Sequence, residues 1–125
     1  VGVMVMLRFN QFTGGQLWAQ EFGDPAEEAS FQTLRAYSPY HNIEAGRRYP
    51  AILATTADTD DRVVPGHTFK YIAAIQAADV GDAPHLVRVE TRAGHGGGKP
   101  TDKVIDEYAD MWAFAAQATG LQVIL

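Results

Sequence analysis

The chain has 125 residues, 46% apolar and 20% charged, with a net charge of -5 at pH 7, which is one domain's worth of soluble, core-forming polypeptide rather than a disordered segment. Its basic residues are scattered, so there is no footprint for nucleic acid. The absence of cysteine removes disulfides, thiolate metal sites and cysteine nucleophiles, and no apolar run approaches the ~20 residues of a membrane span.

Residues 1–6, rich in Val and Met, read as a short buried strand already under way, with no initiator methionine. The expectation is a C-terminal piece of a longer polypeptide, with any targeting signal upstream. The compartment is therefore open between cytoplasm and periplasm. Gly14-Gly15 breaks the chain before a mixed apolar segment holding Trp18 and Phe22. Gly23-Asp24-Pro25 stops that segment and starts a helix, with Asp24 as N-cap and Pro25 at the first helical position. Phe31, Leu34 and Tyr37 give the helix its apolar stripe, and Ser38-Pro39 ends it.

Tyr49 to Ala57 is continuous, apolar and β-branched, as suits a central parallel strand. It runs into the polar cluster Asp58-Thr59-Asp60-Asp61-Arg62. Pro65-Gly66 leads into a helix through Phe69, Ile72, Ala73 and Gln76, and a loop then precedes a second strand, Leu86 to Glu90. A glycine loop follows, with His95 set among Gly94, Gly96, Gly97 and Gly98. The last helix, about residues 100–118, places Val104, Ile105, Tyr108, Met111, Trp112 and Ala115 at core-helix spacing. Strand, helix, strand, helix with short connections predicts an α/β layer fold with a mainly parallel sheet flanked by helices.

In such sheets the working groups gather at the carboxyl ends of strands. Asp60 and His95 each follow a strand, with one helix and one strand between them, so their loops are expected at one sheet edge. An aspartate there would accept the Nδ1–H of the histidine, fix its tautomer and stabilise the imidazolium. Residue pattern alone leaves plainer roles open: a turn-forming Asp60, an exposed His95, a core Trp18, a surface ion pair for Arg62. The chain has two serines, Ser30 within a helix and Ser38 before a proline, and neither sits on a Gly-x-Ser-x-Gly elbow. A nucleophile is expected upstream. Asp58, Asp60, Asp61 and His67 offer one histidine and crowded carboxylates, a poor metal set. His41 and His85 read as ordinary loop residues.

Asp58-Thr59-Asp60-Asp61-Arg62-Val63-Val64-Pro65, followed by Ala93-Gly94-His95-Gly96-Gly97-Gly98-Lys99-Pro100, resembles the C-terminal catalytic region of the prolyl oligopeptidase family. So do Val1-Gly2-Val3-Met4 and Tyr37-Ser38-Pro39-Tyr40-His41-Asn42, and the likeness runs along residues 1–125. The resemblance implies the C-terminal portion of an α/β-hydrolase fold, and a serine peptidase that cleaves short peptides after proline without a cofactor or metal. It also implies a nucleophile-bearing half and a β-propeller earlier in the polypeptide. By the same resemblance Asp60 and His95 match the triad aspartate and histidine. Arg62 matches an arginine that binds a substrate carbonyl next to proline, and Trp18 the tryptophan that stacks on the proline ring. Phe22, Val63 and Val3 match residues lining the pocket. Phe22 replaces the family's usual tyrosine, and Val5 stands where aspartate is common. The partners implied are a proline-containing peptide and the upstream remainder of the polypeptide, not nucleic acid or membrane. Related readings are an oligopeptidase cleaving after basic residues, an acylaminoacyl or dipeptidyl peptidase, or a non-catalytic peptide-binding fragment.

Overall fold

A computed structural model describes residues 2–122. Its backbone divides into two compact units, one ending at His95 and the other starting at Gly96. In the first unit two 3-10 segments, Phe9–Gln11 and Thr13–Trp18, lead into a single helical turn, α1 (Ala19–Phe22). Then follow α2 (Glu28–Tyr37), a 3-10 turn at Pro39–Asn42, β1 (Ile52–Ala57), α3 (Gly66–Ala77) and β2 (His85–Glu90). The second unit is built on α4 (Thr101–Thr119). No helix among the described residues is long and apolar enough to cross a membrane.

β1 and β2 pair in parallel, with Ile52 opposite His85 and Ala57 opposite Glu90. The crossover between them is α3, whose Ile72 and Ile75 pack with Ala54 of β1 and with Val80 into one core cluster. The predicted helix through Phe69, Ile72, Ala73 and Gln76 is present as α3. Ile72 is buried, but Ala73 and Gln76 are exposed and Phe69 is 43% exposed; His67, Thr68 and Ile75 lie inside instead. Of the polar pair, His67 accepts a backbone hydrogen bond from the Val5 amide (3.3 Å), whereas the buried Thr68 Oγ1 has no hydrogen-bond partner among the described residues.

A second cluster joins Met6, Phe9 and Leu34, with Val3, Leu7 and Trp18 packed against it. The predicted opening strand is absent from residues 2–6, and Val1 lies outside the described residues. A strand needs a hydrogen-bonded neighbour, and here side chains and a turn use these backbone groups. Met4 O accepts from the Tyr40 amide (2.9 Å), the Val5 amide donates to His67, and the Met6 amide donates to Ser38 Oγ (3.1 Å). Gly14-Gly15 does not break the chain either. It lies within a 3-10 segment wound so closely that a Cβ on Gly15 would sit 1.8 Å from the Phe9 carbonyl oxygen.

Helix α2 starts three residues later than its Gly-Asp-Pro signal suggests, and Asp24 does not cap it. Asp24 Oδ1 takes the Ala26 amide (2.9 Å) and the Asn10 side chain (3.3 Å), closing an Asx turn instead. Of the predicted stripe only Leu34 is fully buried; Tyr37 is half exposed. His85 is no loop residue: it opens β2, is 8% exposed, and donates from Nε2 to Pro50 O (3.1 Å). His41 lies in the Pro39–Asn42 turn, its Nδ1 2.7 Å from Ser38 Oγ. Helix α4 carries the predicted stripe at helical spacing. None of its residues is buried, and Trp112 is 70% exposed.

Candidate active site

The parallel register ends β1 and β2 at the same edge, and backbone hydrogen bonds then stitch the two following loops together. The Asp58 amide donates to Glu90 O (3.0 Å), and both the amide and the hydroxyl of Thr59 donate to Ala93 O (3.2 and 2.7 Å). In return the Ala93 amide donates to Asp58 Oδ1 (3.3 Å). Backbone amides, that of Arg92 above all, hold the Asp58 carboxyl below its usual range against a smaller opposing effect of desolvation. The turn itself is tight, with Arg92 at φ 54°, a conformation few non-glycine residues adopt. Beyond it Gly96 and Gly98 take positive φ (124° and 72°), so the permissive backbone after His95 is used as such.

This stitching sets Asp60 against His95. His95 Nδ1 donates to Asp60 Oδ2 at 2.8 Å, while Asp60 Oδ1 accepts the amides of Arg62 (3.0 Å) and Val63 (2.9 Å). The Asp60 side chain is fully buried and that of His95 is one-third exposed. Burial works to raise the Asp60 pKa. The Val63 amide, the His95 hydrogen bond and the Arg62 amide outweigh it, and the carboxyl stays below its usual range. With Nδ1–H committed to a carboxylate, the neutral imidazole keeps its lone pair on Nε2. That is the tautomer of a general base.

His95 also borders a pocket of about 260 Å³ whose other lining residues are Val3, Trp18, Glu21, Phe22, Arg62 and Val63. All seven residues singled out from the sequence therefore meet here: Asp60 and His95 as a hydrogen-bonded pair, and Val3, Trp18, Phe22, Arg62 and Val63 around the cavity beside them. The volume lies just under the ~300 Å³ at which drug-sized pockets begin. The aromatic wall is braced by edge-on contacts, Phe22 against Trp18 (6.4 Å between centroids) and against Phe9 (5.6 Å). Arg62 and Val63 are placed by the same amides that grip Asp60, which couples the pocket wall to the Asp–His pair.

Sequence reasoning missed Glu21 and the loop stitches of Thr59 and Ala93. Trp18, Glu21 and Phe22 stand at i, i+3 and i+4, the spacing of one helical face, and that signal would have found Glu21. Nothing in the residue types announced the Thr59–Ala93 contacts, because they are made to a backbone carbonyl. Neither serine lines the pocket. Ser30 lies within α2, and Ser38 is fully buried, its Oγ between the Met6 amide and His41.

The prolyl oligopeptidase family model matches residues 1–122. A prolyl endopeptidase of Elizabethkingia miricola is 46% identical over 123 residues, which cover 98% of this chain and 17% of the relative. Prolyl oligopeptidase A of Amanita bisporigera is 47% identical over 122 residues, covering 97% of this chain and 16% of the relative. A solved structure from a structural and mechanistic analysis of two prolyl endopeptidases superposes with a TM-score of 0.89 at 56% identity, covering 98% of this chain and 17% of its own. Prolyl oligopeptidase B of Galerina marginata, bound to a 35mer hydrolysis and macrocyclization substrate, superposes at 0.91 with 41% identity, covering 99% of this chain and 18% of its own. The chain thus spans about 17% of the length of the relatives it matches. The neighbours are catalytic domains of α/β-hydrolase fold, and the parallel β1–β2 pair with its crossover helix is part of that architecture.

Proposed function

The chain belongs to the prolyl oligopeptidase family, and on that premise we propose that the polypeptide containing it hydrolyses short peptides on the carboxyl side of proline through an acyl-enzyme. Residues 1–125 contribute part of the catalytic domain, with the serine, most of the oxyanion hole and a β-propeller supplied by the remainder. His95 Nε2 takes the proton of that serine as its oxygen attacks the carbonyl carbon, and returns it to the leaving amine as the C–N bond breaks. Water then attacks the acyl-enzyme by the same proton route. Asp60 accepts the Nδ1–H throughout and stabilises the imidazolium, and its burial keeps that interaction free of screening by solvent.

Arg62, a fixed and always-charged fork of donors, holds a substrate carbonyl next to proline. Trp18 stacks on the proline ring, and Phe22, Val63 and Val3 close the apolar walls. Phe22 has no phenolic hydroxyl, so this wall packs against the ring without offering a hydrogen bond. Val5 is buried, 1% exposed, with its amide on His67, away from the lining residues.

The observation that carries this reading is the 2.8 Å Asp60–His95 hydrogen bond set beside a pocket walled by Trp18 and Phe22. The Galerina marginata enzyme has been solved with a serine, a histidine or an aspartate replaced by alanine and a peptide substrate bound, which supports a triad of those types. The test is the full-length polypeptide on two fluorogenic peptides that differ only in Pro or Arg before the scissile bond. Cleavage after proline is expected, and preference for arginine would overturn the specificity. A fluorophosphonate probe should label a serine outside these 125 residues, whereas labelling of Ser30 or Ser38 would overturn the assignment of roles.

A further inference from the structure

The pocket wall is apolar except for two side chains of opposite charge, Arg62 and Glu21. Both are exposed, and among the described residues neither charged group has a hydrogen-bond or ion-pair partner. Two unpaired opposite charges on one small cavity form a polarised rim. A peptide crossing it offers a carbonyl to Arg62, and Glu21 is left facing whatever lies beside that carbonyl. Glu21 also belongs to the same helical turn as Phe22 and sits three residues beyond Trp18, so its place is fixed relative to the proline-stacking ring.

We propose that Glu21 is a specificity-determining residue that favours substrates carrying a cationic side chain, lysine or arginine, on the residue just before the proline. This rests on the post-proline reading of the pocket. The residue before proline is the one whose carbonyl Arg62 would grip, so its side chain emerges at the rim that Glu21 shares. A protonated amine there meets a carboxylate that no ion pair among the described residues satisfies, while Arg62 on the same rim is engaged by the peptide carbonyl. An acidic side chain meets the same carboxylate as a like charge and is discriminated against. Because Glu21 is solvent-exposed, the effect is that of a surface ion pair and disappears with salt.

The test compares kcat/KM of the full-length polypeptide on three fluorogenic peptides with Lys, Gly or Glu before proline. At low ionic strength a Lys-to-Glu ratio of about 5 to 10 is expected, from an attraction and a repulsion each of exposed ion-pair size. The ratio should shrink towards one at about 0.5 M salt and in Glu21→Gln, and should invert in Glu21→Lys. The change should appear in KM rather than kcat, since the contact is made equally in ground and transition states. A ratio near one in the wild type, or one that Glu21→Gln leaves unchanged, overturns the proposal while cleavage of the Gly-Pro peptide leaves the post-proline reading standing. Failure to cleave any of the three peptides overturns both.

Discussion

Replacing Asp60 by asparagine separates the chemistry of the pair from its architecture. The carboxylate accepts hydrogen bonds on both oxygens, Oδ1 from the Arg62 and Val63 amides and Oδ2 from His95 Nδ1. Asparagine has one oxygen and one NH2. If its NH2 faced the two amides, donors would meet donors in a buried site, at a cost of about 1–3 kcal/mol for each unsatisfied group. The oxygen therefore stays with Arg62 and Val63, and the NH2 turns to His95. A donor opposite Nδ1 forces the proton to Nε2, the wrong tautomer for a general base. The fold is retained, because both loop amides keep their acceptor, while kcat falls by about 10⁴, the size of a tautomer inversion in a Ser–His–Asp site, or about 5.5 kcal/mol of barrier. Asp60→Ala strips the acceptor from both amides as well and should lower stability in addition. The assay is steady-state hydrolysis of a Gly-Pro fluorogenic peptide by the full-length variants, with thermal unfolding in parallel. Asp60→Asn retaining more than about a tenth of wild-type kcat would refute the role of the aspartate in setting the tautomer.

Trp18→Ala should raise KM for proline peptides by about ten- to a hundredfold, the worth of one buried aromatic face, with a smaller change in kcat; steady-state kinetics showing an unchanged KM would remove Trp18 from the pocket's function. Gly15→Ala should destabilise by more than about 3 kcal/mol or prevent soluble expression, since its Cβ would meet the Phe9 carbonyl at 1.8 Å and backbone, unlike a side-chain end, cannot swing away; a melting temperature equal to wild type would contradict this close approach. His67 is 1% exposed, and burial lowers its pKa from 6.5 to about 4. A folded-state pKa below the unfolded one means that the unfolded chain binds the extra proton. The stabilisation is thus complete above pH 6.5 and is lost as pH falls towards 4, by about 3 kcal/mol. Urea unfolding at pH 7, 5.5 and 4.5 should show this slope, and His67→Gln should flatten it.

The elements around the chemistry were legible in the sequence because each carries its own local signal. Tyr49 to Ala57 is β-branched and continuous, Pro65-Gly66 punctuates it, and the glycines around His95 admit neither helix nor strand. The misreadings share a different cause. The backbone of residues 2–6 and the choice of buried face on α3 depend on what packs against them, which no local pattern encodes. The strand-like run Val3-Met4-Val5-Met6 became an irregular segment because Tyr40, His67 and Ser38, at separations up to 62 residues, occupy its backbone groups. Phe69 matched the helical spacing of α3 as well as Ile75 does, but only Ile75 faces β1 and Val80. In the site, Asp60 and His95 could be named from their places after two strands, and Arg62, Trp18, Phe22, Val63 and Val3 only from family resemblance. Glu21 was hidden by lying in a segment read only for its aromatic residues.

Asp60 and His95 are 35 residues apart in sequence, yet everything that fixes their distance lies inside one β-α-β unit. The parallel register sets the two strand ends side by side. The Asp58–Glu90, Thr59–Ala93 and Ala93–Asp58 hydrogen bonds lock the loops, and the Arg62 and Val63 amides hold the carboxylate from behind. None of these contacts involves a nucleophile. On the proposed mechanism the histidine is therefore oriented, with its tautomer set, before the serine approaches it, and the variable left is the distance from Nε2 to that serine. Such an arrangement divides mutational effects by kind. Changes in the stitched loops act on the base itself and should alter the pH dependence of kcat, whereas changes that shift the serine-bearing remainder alter kcat without moving that pH dependence. Thr59→Val, which deletes one of the two donors to Ala93 O, belongs to the first kind.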